Sequence, residues 1–225
     1  MKTMQQIYCL IWKDVLLEIR RRENLLSMFF FGTVLLFIFH FSFEMPPEQT
    51  MEMAPGLLWL AFVFTGTLSL TQLFHVEKEN QCLEALLLCP MDRGAFYLSK
   101  VLFNLILMVL VEIVVFPLFA ILFNADIWTQ FPSLLSIVVL GTIGFCALGA
   151  LFSGLTLRAR AKELLLPLIL FPLIIPAILG TIRGMQIVLG ARDMQELWPW
   201  INMLIAFDVI FLTVGFLIFE WVIES

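Results

Sequence analysis

Long apolar runs separated by short polar connections dominate the chain, and run length is the signal that decides the elements. A hydrocarbon core about 30 Å thick takes roughly 20 apolar helical residues to cross, and a segment in lipid has to satisfy its backbone polar groups internally. Six runs meet that length: residues 25–43, 55–74, 101–123, 131–157, 164–182 and 200–223. Four carry no formal charge; the third contains Glu112, and the sixth contains Asp208 and Glu220. The pattern predicts an all-α polytopic membrane protein, a single transmembrane domain of six helices over residues 1–225. Ahead of the first span, residues 1–24 place Ile7, Ile11, Val15 and Ile19 four apart, with Arg20, Arg21 and Arg22 at the end. That pattern predicts an interfacial helix in the membrane surface with its basic end at the headgroups.

The stretch "HVEKENQCLEALLLCPMDRGAFYLSK", residues 75–100, is the one long polar interruption. Its acids come first, and Leu83, Leu86, Leu87 and Leu88 follow before Pro90. A short helix of about two to three turns fits, with Glu77 and Glu79 near its start, where the helix dipole favours negative charge. Leucines on a polar connection mark an interface better than a solvated linker.

Charge supplies the orientation. Eleven of the 13 Lys and Arg residues precede the first span or lie between spans two and three or four and five. Only Arg183 and Arg192 fall on the other side. By the positive-inside rule both termini and residues 75–100 are cytoplasmic. Trp59, Trp128, Trp198 and Trp200 then fall at outer span ends, and Trp12 and Trp221 at inner ends, as an aromatic belt requires.

A hydrophobic content of 61% against 14% charged residues places the chain far above the roughly 45–50% apolar content of soluble domains. The net charge of -5, with scattered basic residues, excludes a nucleic-acid partner. Cys9, Cys82, Cys89 and Cys146 form no CxxC, so no metal or covalent haem site is expected. The N-terminal stretch lacks a short apolar core with a small-residue cleavage site, so no removable signal peptide is expected. No GxxxxGK[ST], HExxH or GxSxG occurs, so no catalytic residue is assigned and any ATP is bound by a partner. His40 and His75 fall on opposite membrane faces.

Three constellations remain. Glu112 and Asp208 sit deep in spans, where a carboxyl serves either a proton relay or intramembrane active site, or a hydrogen-bonded helix contact. Cys146, Ala150 and Gly154 recur every fourth residue and predict a close helix contact, within the chain or with a second copy. Pro167, Pro172 and Pro176 bend the fifth span, with Pro172 and Pro176 marking either a hinge or a static kink.

Six spans, cytoplasmic termini and an acid-rich segment between spans two and three resemble the membrane subunit of a type 2 ABC exporter. More specifically, "APGLLWLAFVFTGTLSLTQLF", "LEALLLCPMDRGAFYLSKVL", "VLGTIGFCALGALFSGLTL" and the "PLIIP" of residues 172–176 resemble the haem exporter protein B family, CcmB. The likeness runs from about residue 54 to 176; where the family pattern has Asp-Gly before Ser-Leu-Glu, this chain has Asn80, Gln81 and Cys82. The resemblance implies a non-catalytic permease subunit of the bacterial inner membrane, with Leu83, Glu84, Leu87 and Pro90 docking on a separate, CcmA-like cytoplasmic ATPase. It further implies two copies of each, a haem-handling C subunit, a small D subunit, and ATP-driven haem export or release of a haem-loaded E chaperone in c-type cytochrome biogenesis. Haem is then cargo of the complex, with no cofactor assigned to this chain. The alternatives are an exporter subunit for a drug or polysaccharide, and an intramembrane enzyme using Glu112 and Asp208.

Overall fold

The computed structural model describes residues 2–42, 47–79, 91–157, 162–190 and 193–224. In chain order the helices are α1 (Lys2–Arg21), α2 (Glu23–Ser42), α3 (Pro47–Gln72), α4 (His75–Glu79), α5 (Arg93–Phe123), α6 (Phe131–Leu155), α7 (Lys162–Leu189) and α8 (Trp198–Glu224). A 3₁₀ turn, Met194–Leu197, leads into α8. Among the described residues, six helical segments are long and apolar enough to cross a membrane, Glu23–Ser42, Glu52–Gln72, Arg93–Phe123, Phe131–Leu155, Leu164–Leu189 and Met194–Ile223. They match the six predicted runs, and the chain is an all-α multi-pass membrane protein.

The small-residue helix α6 is the axis of the bundle, packed against α8, α7, α5 and α3. Glycines let it approach so closely. A Cβ on Gly149 would lie 2.3 Å from Leu70 Cδ1, and one on Gly141 would lie 2.1 Å from Thr181 Cγ2 and 2.6 Å from the Trp59 ring. Cys146, Ala150 and Gly154 are all buried inside the chain, Gly154 against Phe219 and Val222 of α8. α2 packs on α3 and α5 at the bundle's edge.

One boundary differs from expectation for an identifiable reason. α5 starts at Arg93 rather than 101, because Asp92 caps it, its Oδ1 accepting from Gly94 N–H at 2.9 Å. α7 runs on to Leu189. α1 passes into α2 through one residue, Arg22, in the left-handed region at φ 55°. The Glu18 carboxylate holds this joint by accepting from Leu25 N–H at 2.8 Å. Such a conformation costs a non-glycine residue on the order of 1 kcal/mol, so the bend depends on its contacts.

The helix α1 shows two apolar faces. Leu10, Asp14 and their neighbours pack inward on α5, while Met4, Tyr8, Trp12, Leu16 and Ile19 form an exposed stripe. The four-apart isoleucine pattern read from the sequence identified only part of this arrangement, since Ile7 and Ile11 are half-buried and Ile19 belongs to the outer stripe. Trp59 also departs from its predicted place in an aromatic belt. It is buried in the bundle, donating from Nε1 to Met185 Sδ at 3.2 Å.

Candidate functional site

Where α1, the end of α3, α4 and the start of α5 meet, four charged side chains close a ring. Lys100 Nζ on α5 lies 2.9 Å from Asp14 Oδ2 on α1 and 2.8 Å from Glu77 Oε1 on α4. Lys13 Nζ lies 3.0 Å from Asp14 Oδ1 and 2.5 Å from Glu77 Oε1. Two cations and two carboxylates alternate, so the ring is neutral. Lys100 spends its third N–H on Leu73 O at 3.2 Å, just past the end of α3, where a helix terminus favours positive charge. The rings of Phe74 and Phe96 flank the ammonium at 5.3 and 5.6 Å.

Burial gives this ring its weight. Lys100 is 1% exposed, Glu77 2% and Asp14 5%, so only Lys13 reaches solvent. Burial by itself would push the Glu77 carboxyl up, but the Lys100 and then the Lys13 ammonium outweigh it and hold Glu77 at about 2. Burial likewise works to lower Lys13, and Glu77 and Asp14 overcome it and raise its pKa. Removing one member of such a buried set leaves an uncompensated charge at a cost of about 3–5 kcal/mol.

Expectation and structure part company here. Glu77 read as a polar acid at the start of a short helix; it is buried and paired. Lys13 and Lys100 read only as topology-setting charges. Two sequence signals pointed to more: Asp14 shares a helical face with Leu10 and Leu17, and Lys100 is followed directly by the apolar run of α5. A charge on an apolar face needs a partner. Leu83, Glu84, Leu87 and Pro90, the residues expected to dock on an ATPase, lie outside the described residues together with Asn80, Gln81 and the cysteines Cys82 and Cys89.

A second polar system runs through the bundle. Ser69 donates to Asn104 Oδ1 at 2.7 Å, and Asn104 Nδ2 reaches Cys146 Sγ at 3.3 Å. Tyr97 O–H donates to Ala147 O at 2.9 Å, and Ser153 O–H to Leu70 O at 2.7 Å. Glu112 accepts from the Thr142 hydroxyl, and it also lines a largely apolar groove of about 260 Å³ with Phe116, Trp128 and Leu134. Asp208 is buried against Gly144, and neither carboxyl oxygen has a partner among the described residues. Thr142 and Gly144 are two residues apart on α6, about 200° around a helix of 3.6 residues per turn. The two acids therefore reach α6 from different sides, and the structure does not bring them together as a catalytic pair.

Pro172 and Pro176 lie inside α7, which runs through them without interruption from Lys162 to Leu189.

The model of the CcmB protein family matches residues 5–223, nearly the whole chain. The chain belongs to the CcmB family. Among curated relatives, a protein of Pseudomonas aeruginosa named haem exporter protein B is 29% identical over 170 residues, 76% of each chain. Its namesake in Haemophilus influenzae is 26% identical over 170 residues, again 76% of each chain. A third, from Rhodobacter capsulatus, is 30% identical over 136 residues, 59% of this chain and 60% of that one. In this CcmB family member the buried ring brackets residues 80–90, with Glu77 just before that stretch and Lys100 on the helix that follows it.

Proposed function

We propose that this chain is the membrane subunit of an ABC-type haem exporter, transmitting the motion of a separate cytoplasmic ATPase into the helix bundle. The observation that carries the reading is the buried ring of Lys13, Asp14, Glu77 and Lys100. It ties α4 and α5, the helices on either side of residues 80–90, to each other and to α1. A segment clamped at its base moves its attached helices as a rigid body instead of absorbing the displacement in a soft joint. The Leu83, Glu84, Leu87 and Pro90 positions are the docking surface in this reading, and Pro172 and Pro176 the bend that follows. The relatives' name, haem exporter protein B, supports haem as the cargo of the complex.

The complex then contains two copies of this chain, two of a CcmA-like ATPase, and the C and D subunits, and it serves the E chaperone in c-type cytochrome biogenesis at the bacterial inner membrane with both termini cytoplasmic. The test is co-purification from mild detergent with Glu84→Ala and Leu87→Ala variants. The ATPase is expected to co-purify with the wild-type chain and to be lost several-fold from the variants, with holo-cytochrome yield falling in parallel. Undiminished ATPase capture and undiminished holo-cytochrome in both variants overturn the docking assignment.

A further inference from the structure

Beside the ion ring lies a cavity of about 240 Å³, walled by residues of α1, α2, α4 and α5 and by the end of α3. It sits where α2 begins and α3 ends, beside Lys100 and Phe103 about two to three turns into α5, at the end of the span-length helices that carries the Arg20–Arg22 cluster. Its wall carries four carboxylates, Asp14, Glu18, Glu23 and Glu77, against the cations Arg21 and Lys100. Lys13, the remaining member of the ring, adds a third positive charge, which leaves the neighbourhood one negative charge in excess.

One atom in this wall is out of balance. Both ammonium groups of the ring converge on Glu77 Oε1, while Glu77 Oε2 is buried and has no hydrogen-bond partner among the described residues. Glu77 is 2% exposed, so this oxygen is shielded from bulk water. Two of the other acids are engaged: Asp14 uses both oxygens on Lys13 and Lys100, and Glu18 Oε1 accepts from Leu25 N–H. A buried, unsatisfied carboxylate oxygen costs free energy comparable to a lost charged hydrogen bond. What it lacks is a hydrogen-bond donor, and the one-charge acidic excess of the wall favours a donor that is small and cationic.

We propose that this cavity binds the headgroup of a phospholipid bearing a primary amine, a phosphoethanolamine, with its ammonium toward Glu77 and its phosphate toward Arg21 and the Asn24 side chain. The zwitterion fits the wall: an ammonium offers N–H donors to the acidic side, and a phosphate accepts from the guanidinium. The location supplies the rest, because a lipid at this end of the span-length helices presents its headgroup to the cavity while its acyl chains stay with the bundle surface. The exposed Met4, Tyr8, Trp12, Leu16 and Ile19 stripe of α1 offers an apolar surface to the same lipid layer.

The experiment uses the full chain with its co-purifying subunits, equilibrated in vesicles of equimolar phosphatidylethanolamine and phosphatidylcholine, and reads retained lipid by native mass spectrometry. Phosphatidylethanolamine is expected to be retained about tenfold over phosphatidylcholine, whose quaternary nitrogen has no N–H; one lost charge-assisted hydrogen bond is worth about that factor. The N-monomethyl and N,N-dimethyl lipids fall between in order. Glu23→Gln, which removes wall charge and leaves both the ring and the Glu18 contact at the α1–α2 joint intact, reduces the preference at least twofold. Asn24→Phe, filling the cavity from α2, abolishes it. Equal retention of the two lipids overturns the proposal and leaves the cavity to water. A preference unchanged in both variants places the lipid elsewhere, and displacement by millimolar free phosphoethanolamine makes the ligand a soluble amine; either result also overturns it.

Discussion

Glu77 concentrates the residue-scale argument, because one oxygen carries two lysines and the carboxyl sits well below its ordinary value. A carboxyl held low in the folded state stabilises that state above its unfolded value, and the contribution disappears as the pH falls toward the folded value. With an ordinary value of 4.5 and a folded value of about 2, the window runs from about pH 5 down to about pH 2. The shift corresponds to about 3 kcal/mol at neutral pH. Thermal unfolding in detergent, followed by tryptophan fluorescence, is expected to lose midpoint across that window in the wild-type chain. The loss should be distinctly shallower in Glu77→Gln. Superimposable acid limbs would show that Glu77 is not the titrating group. This residue was only partly legible in the sequence. The composition of "HVEKENQ" reads as the polar, acidic start of a short helix, and only the fold shows that Lys100, 23 positions later, and Lys13, 64 positions earlier, converge on it.

Elements were legible where their physics is local. Run length specified the spans because lipid demands it, and the small residues of α6 announced a close helix contact. The contact partner was not legible, since spacing says nothing about which helix arrives; the structure puts α8, α7, α5 and α3 there. The start of α5 was missed because Lys100 reads as polar boundary until its charge is seen to be cancelled by Asp14 and Glu77. Close packing makes two glycines behave oppositely. Gly141→Ala drives a methyl to 2.1 Å from Thr181 Cγ2 and 2.6 Å from the Trp59 ring, groups already buried, and should destabilise by about 1–3 kcal/mol. Gly56→Ala meets only Ile182 Cδ1, at 3.9 Å, so the helix-propensity gain of up to about 1 kcal/mol remains and the variant should be neutral or more stable. Thermal midpoints of the two variants measured side by side decide this, and a destabilised Gly56→Ala with an untouched Gly141→Ala would refute the packing described for α3 and α6.

For the whole molecule the open question is whether the ion ring serves stability or transmission, and the two roles separate experimentally. Buried ion networks contribute little net stability relative to well-packed apolar residues of similar volume, although breaking one member alone is costly. Replacing the ring's three buried members together, Asp14→Leu, Glu77→Leu and Lys100→Met, leaves Lys13 free to turn to water and should keep the chain folded within about 2 kcal/mol of wild type. Lys100→Ala alone, which strands two carboxylates with one partly exposed lysine, should lose about 3 kcal/mol or more. Apolar contact, however, is non-directional, whereas the ring fixes α4 against α5 and α1 through oriented donors. In the proposed coupling role, the triple variant should therefore fold and capture the ATPase while holo-cytochrome yield falls several-fold, because displacement at the segment's base is absorbed by slippage between α4 and α5. If the triple variant is stable and its cytochrome yield matches wild type, the ring is a packing device and transmission runs through other contacts.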